Sequence, residues 1–200
     1  MISRILCVLM LMLPAAAGFA ATIVVYGDSL SAAYGLPREQ GWVSLLQKKL
    51  RDENLDYKVE NLSISGETTL GGKNRSAAVL DLYRPAIVSV ALGANDGLRG
   101  HDPDAIRRNL EVIVQACRKS RARVLLVGMR LPPNYGARYS EKFHNIFNDI
   151  SKKYGLPLVP FLLEGFAADR ELFQADGLHP TARAQPLMLE TVWKKLRPLL

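Results

Sequence analysis

A regular alternation of short apolar runs with amphipathic stretches is the feature that most constrains how this 200-residue chain can fold. Thr22 to Tyr26, Ile87 to Leu92 and Val124 to Met129 are near-continuous apolar runs of five or six residues. They are too short for core helices and lack the polar alternation of a half-exposed strand, so they read as strands buried on both faces. Tyr57 to Leu62 alternates, and Leu158 to Phe161 is a short fifth run. Between them lie helical patterns. Gly41 to Asn54 puts Trp42, Leu45, Leu46 and Leu50 on one face, and Gly72 to Tyr83 ends before Pro85. Asp102-Pro103 supplies an N-cap and a first-turn proline ahead of Ile106, Leu110, Ile113, Val114 and Cys117. Phe143, Ile146, Phe147, Ile150 and Tyr154 follow at helical spacing before Gly155, and a last helix is expected over Ala182 to Leu196.

Strands that alternate with helices predict a parallel sheet covered on both faces. Five strands at this length fit a flavodoxin-like, three-layer α/β/α domain with strand order 2-1-3-4-5. Ligands of such sheets bind beyond the carboxyl ends of the strands. With that order, the loops after strands one, two and three are neighbours at one edge.

The first twenty residues differ from the rest. Arg4 is their only charge, Ile5 to Leu13 is apolar throughout, and Gly18-Phe19-Ala20 offers small residues for cleavage. This is the pattern of a secretory signal peptide over residues 1–20, with a mature domain over 21–200 that is periplasmic or secreted. A membrane anchor is the alternative, but the run falls short of the roughly 20 residues a span requires. Cys7 would leave with the leader, so Cys117 stands alone and a packed core thiol is expected rather than a disulfide or nucleophile. Loss of Arg4 takes the net charge from +7 to +6. The basic residues are dispersed and have no aromatics between them, which argues against a nucleic-acid surface and leaves weak attraction to anionic lipid or acidic substrates. No His/Cys/Asp cluster has metal-ligand spacing. No metal, no cofactor, no stable membrane span and a monomeric state are expected.

Three short segments carry chemistry: Gly27-Asp28-Ser29, Gly93-Ala94-Asn95-Asp96 and Asp176-Gly177-Leu178-His179. Ser29, three residues past strand one, is the candidate nucleophile and needs a base to take its proton. A plain serine N-cap is the alternative, and Asp28 reads as a turn residue. Of three histidines, His144 lies within a helix and His101 follows Asp96 in a loop with no evident orienting carboxylate. His179 stands three residues after Asp176, close enough for a carboxylate to fix the imidazole's tautomer. An acyl-transfer intermediate also needs donors for its oxyanion. The Ser29 N–H, the Gly66 N–H and the Asn95 amide are available, although Gly66 and Asn95 are also ordinary turn residues.

Taken with Gly66 and Pro180, these segments resemble the four sequence blocks of the SGNH (GDSL) hydrolases. The blocks correspond to Gly27-Asp28-Ser29-Leu30-Ser31, Gly66, Gly93-Ala94-Asn95-Asp96 and Asp176 to Pro180. The resemblance implies a triad of Ser29, His179 and Asp176 and an oxyanion hole of Ser29, Gly66 and Asn95. Asp28 to Gly35 and Ser63 to Thr69 are more narrowly similar to the bacterial periplasmic thioesterase I / arylesterase / lysophospholipase branch. That branch implies metal-free hydrolysis of acyl esters, thioesters and lysophospholipids in a shallow cleft. It also implies a mobile loop over Gly97 to Pro103, where His101 would bear on chain-length preference. Leu30, Leu98, His101 and Tyr135 are the candidate substrate contacts, with Tyr34, Leu36 and Leu131 nearby. Two alternatives stay open: a carbohydrate O-deacetylase of the same fold, and a non-enzymatic flavodoxin-like binding module. A phosphate-binding loop at Gly66 to Lys73 is disfavoured, because its lysine comes one position late and Asn74 replaces the Ser/Thr.

Overall fold

A computed structural model of the protein describes residues 20–200. The expected leader falls almost wholly outside the described residues. Five parallel strands form one sheet in the order β2-β1-β3-β4-β5, as the sequence implies. They are β1 (Ala21–Gly27), β2 (Tyr57–Asn61), β3 (Ile87–Ala91), β4 (Arg123–Val127) and β5 (Leu158–Val159). The register sets Val25 beside Asn61 on one flank and Ser89 on the other, so β1, β2 and β3 end close together.

The apolar runs are continuous because both faces are covered. Ile23, Val25, Ile87, Leu125 and Val127 pack into one core, beneath α1 (Trp42–Asp52) and α6 (Gln185–Leu196). Val24, Tyr26, Val88, Val90, Val124 and Leu126 pack into the other. That second core lies beneath α2 (Thr69–Tyr83), α4 (Pro103–Lys119) and α5 (Ala137–Tyr154). One short helix, α3 (Ala94–Leu98), follows β3.

The local signals explain these elements. The Asp102 side chain accepts the Asp104 N–H at 3.1 Å, and Pro103 opens α4. Its five periodic apolar residues, Ile106 to Cys117, are all buried, each contributing roughly 1.5–3 kcal/mol before entropy. Gly155 ends α5 in the left-handed conformation. Two boundaries differ from expectation. Helix α2 starts at Thr69 rather than Gly72, because the Thr68 hydroxyl caps it by accepting the Gly71 N–H at 3.2 Å. Glycine at 72 is a packing requirement, since a Cβ there would lie 2.4 Å from Leu92. The last helix is preceded by a 3-10 turn over Ala182–Ala184.

The ends of the chain are joined across the first core. The Trp42 N–H donates to the buried Gln185 side chain at 3.0 Å, and the Tyr57 hydroxyl donates to the Leu200 carbonyl at 2.9 Å. Among the described residues, no helix is long and apolar enough to cross a membrane.

Candidate active site

The turn after β1 presents Ser29. Asp28 builds that turn: its Oδ1 accepts the Leu30 N–H at 3.0 Å, and its carbonyl accepts the Ser31 and Ala32 N–H groups. Asp28 is almost fully buried, and burial pushes its carboxyl up to about 6.

The loop before α6 brings the imidazole to meet it. Asp176 Oδ1 accepts the N–H groups of Leu178 at 2.9 Å and His179 at 3.0 Å. Its Oδ2 lies 2.7 Å from His179 Nδ1, and His179 Nε2 lies 2.9 Å from Ser29 Oγ. Hydrogen bonds from the His179 backbone and side chain hold the Asp176 carboxyl down at about 2. The loop itself is anchored. The Gln174 N–H donates to the His179 carbonyl, and the Gln174 side-chain amide donates to the carbonyls of Tyr34 and Pro180. The Tyr34 ring lies against the imidazole, with centroids 4.4 Å apart.

Gly66 and Asn95 approach from the neighbouring loops. Gly66 has φ +80°, a backbone conformation that favours glycine. Among the described residues, neither its N–H nor that of Ser29 has an acceptor. The Asn95 amide gives one N–H to the Glu67 carbonyl at 3.0 Å and keeps a second free to donate. A network that sequence reasoning missed holds these loops together. The buried Asp96 carboxylate accepts both the Thr69 N–H, at 2.8 Å, and the Thr69 hydroxyl, at 2.7 Å. Asn109 donates to that hydroxyl at 3.2 Å, and Arg99 donates to the Gly66 carbonyl at 3.2 Å. The signal lay in the block itself, where Asp96 directly follows Asn95.

A cleft of about 970 Å³ runs from Ser29, Asn95 and His179 across the carboxyl ends of β3, β4 and β5. Leu30 and Leu98 line it as expected, together with Leu131, Met129, Phe161 and Phe173. His101 and Tyr135 are not among its lining residues. Tyr135 stands behind the wall and donates its hydroxyl to the Leu98 carbonyl at 2.9 Å. His101 Nδ1 lies 3.6 Å from Asp96 Oδ1, so this histidine does face a carboxylate. Arg130 and Arg170 also line the cleft and were not singled out. Arg130 stands three residues past β4, where the end-of-strand rule applies. Cys117 is buried, and burial pushes its thiol up to about 12, which leaves it inert. Among the described residues, no group of three or more His, Cys, Asp and Glu side chains is placed to hold a metal ion.

Known proteins share this fold and sequence. Residues 25–186 match the GDSL-like lipase/acylhydrolase family model. Esterase TesA of Pseudomonas aeruginosa is 50% identical over 181 residues, covering 90% of each chain. The thioesterase 1/protease 1/lysophospholipase L1 of Escherichia coli K12 is 39% identical, covering 92% of this chain and 86% of its own. The solved structure of the psychrotrophic esterase EstA from Pseudoalteromonas sp., inhibited by monoethylphosphonate, superimposes with a TM-score of 0.85 at 42% identity. It covers 88% of this chain and 97% of its own. A match across most of the chain, with relatives this similar, means that the chain belongs to the GDSL-like lipase/acylhydrolase family.

Proposed function

We propose that this chain is a serine hydrolase of acyl esters and thioesters, with lysophospholipids among its substrates. The observation that carries the reading is the continuous relay from Asp176 through His179 to Ser29, at 2.7 and 2.9 Å. The names of its relatives, an esterase and a thioesterase/lysophospholipase, agree with that chemistry.

In this mechanism His179 Nε2 takes the Ser29 proton as Oγ attacks the acyl carbonyl. Asp176, kept ionised by its hydrogen bonds, fixes the tautomer and stabilises the imidazolium. The N–H groups of Ser29 and Gly66 and the free Asn95 N–H receive the oxyanion. His179 then protonates the departing alcohol or thiol. A water deprotonated by His179 attacks the acyl-enzyme and restores Ser29. The apolar lining from Leu30 to Phe173 holds the acyl chain. The domain acts as a monomer, exported after cleavage near Ala20.

Purified protein should release p-nitrophenol from acyl p-nitrophenyl esters, and the Ser29→Ala variant should not while unfolding at the same temperature. Turnover by that variant at the wild-type rate would exclude Ser29 as nucleophile. Light scattering tests the monomer, and N-terminal sequencing of the exported product tests the cleavage.

A further inference from the structure

We infer that the Arg130–Arg170 end of the cleft is a recognition subsite for an anionic group carried by the ester. The inference rests on the hydrolase reading above and specifies its substrate class. Arg130 leaves the sheet just past β4, and Arg170 opens a 3-10 turn over Arg170–Leu172. Strand β4 lies two places from β1 in the sheet, which at ~4.8 Å per strand sets Arg130 about 10 Å across from the strand that carries Ser29. Apolar side chains line the same cleft: Leu30 beside Ser29, and Met129, Leu131 and Phe161 past β4 and β5. The cleft is therefore greasy beside the proposed nucleophile and cationic at its remote end.

Both guanidiniums are available. Among the described residues, neither has a carboxylate oxygen within 4.0 Å, whereas Arg75, Arg107 and Arg197 are paired. Among the described residues, the nearby acids form no ion pair with either guanidinium. Asp169 accepts the Glu171 N–H at 3.0 Å to cap the 3-10 turn, and Glu171 lies 3.9 Å from Arg183. Glu164 and Asp169 border, together with Arg130, a second hollow of about 570 Å³ that adjoins the cleft. The Arg130 guanidinium stands 5.5 Å from the Phe161 ring centroid, which favours its position at this wall. An unpaired guanidinium at the end of an apolar channel suits a phosphate or carboxylate, which it can bind through two parallel N–H donors. The mature chain's excess of positive charge acts in the same direction on such substrates.

The anion can sit on the leaving group or on the acyl chain, and two substrate pairs separate these sources. The first pair is an acyl-coenzyme A and the same acyl group on neutral N-acetylcysteamine. The second is a p-nitrophenyl ester of a long dicarboxylic acid half-ester and its uncharged alkyl counterpart. The readout is the ratio of kcat/KM within each pair. In Arg130→Gln and Arg170→Gln the ratio should fall about three- to tenfold in the pair whose anion reaches the subsite, and further in the double Arg→Glu variant. Added salt should shrink the wild-type ratio. Lys195→Gln, which lowers the net charge by one as each Arg→Gln does but from an exposed position on α6, should leave both ratios at the wild-type value. Unchanged ratios for both pairs in a folded double Arg→Glu variant would overturn the subsite. Failure of the wild type to hydrolyse even the uncharged esters would instead overturn the hydrolase reading.

Discussion

Replacing Asp28 with asparagine should make the protein more stable at neutral pH, and the gain should vanish in acid. Asp28 is 2% exposed, and desolvation is the largest cause of its carboxyl rising from 3.8 to about 6. The folded state thus binds this proton more tightly than the unfolded chain does. The stability contributed by the protonated form is fully present below about 3.8 and is lost as pH rises through about 6. At ~1.4 kcal/mol per pH unit of displacement, the buried charge costs at most about 3 kcal/mol above that window. Asparagine cannot ionise, and its carbonyl oxygen can still accept the Leu30 N–H. The melting temperature of Asp28→Asn relative to wild type should climb between pH 4 and 6.5 and level off at a gain of up to about 6–12 °C. Asp176 does not interfere, because its carboxyl, held at about 2, stays ionised throughout this range. Paired thermal or urea unfolding across the pH series is the assay. A difference between the two proteins that is the same at pH 4 and pH 8 would refute the argument.

Three further outcomes follow from the same geometry. Asp176→Asn should lower kcat by about 10⁴, as wrong-tautomer variants of triads do, with pre-steady-state kinetics as the check. It should also lower the melting temperature slightly at neutral pH, because the ionised carboxylate favoured by its hydrogen bonds is lost. Asp96→Asn leaves one oxygen for two Thr69 donors, so it should cost about 2–3 kcal/mol of stability. It should also depress kcat more than it raises KM, because it loosens the loop that aims Asn95. Tyr34→Phe should behave as wild type. Tyr34→Ala removes the ring that lies against His179 and should lower kcat/KM, with steady-state kinetics as the check.

Much of the architecture could be read directly from residue order. Strands such as Ile87–Ala91 announce themselves because burial on both faces demands near-continuous apolar character. Asp102-Pro103 and Gly155 mark helix ends through chemistry that acts within a few residues. The meeting of Ser29 with His179 was legible through the order of the blocks and the end-of-strand rule. What escaped was side-chain direction in loops. His101 and Tyr135 lie in the expected loops, yet one turns toward Asp96 and the other props the Leu98 carbonyl. The first turn of α2 was hidden because Gly71 and Gly72 disfavour helix locally. The contact that requires a glycine at 72 comes from Leu92, twenty residues away in sequence. The stacking of Tyr34 on His179 joins loops nearly 150 positions apart and leaves no local trace.

The hydroxyl of Ser29 and the ring of His179 are separated by 150 residues of chain, and the segments beside them are tied by Trp42 to Gln185 and by Gln174 to Tyr34. A nascent chain therefore has no hydrolytic capacity until His179 and the α6 segment have been made and docked. Turnover in this enzyme is a readout of completed folding, and a chain cut anywhere before α6 is expected to be both unfolded and inert rather than a partly active fragment.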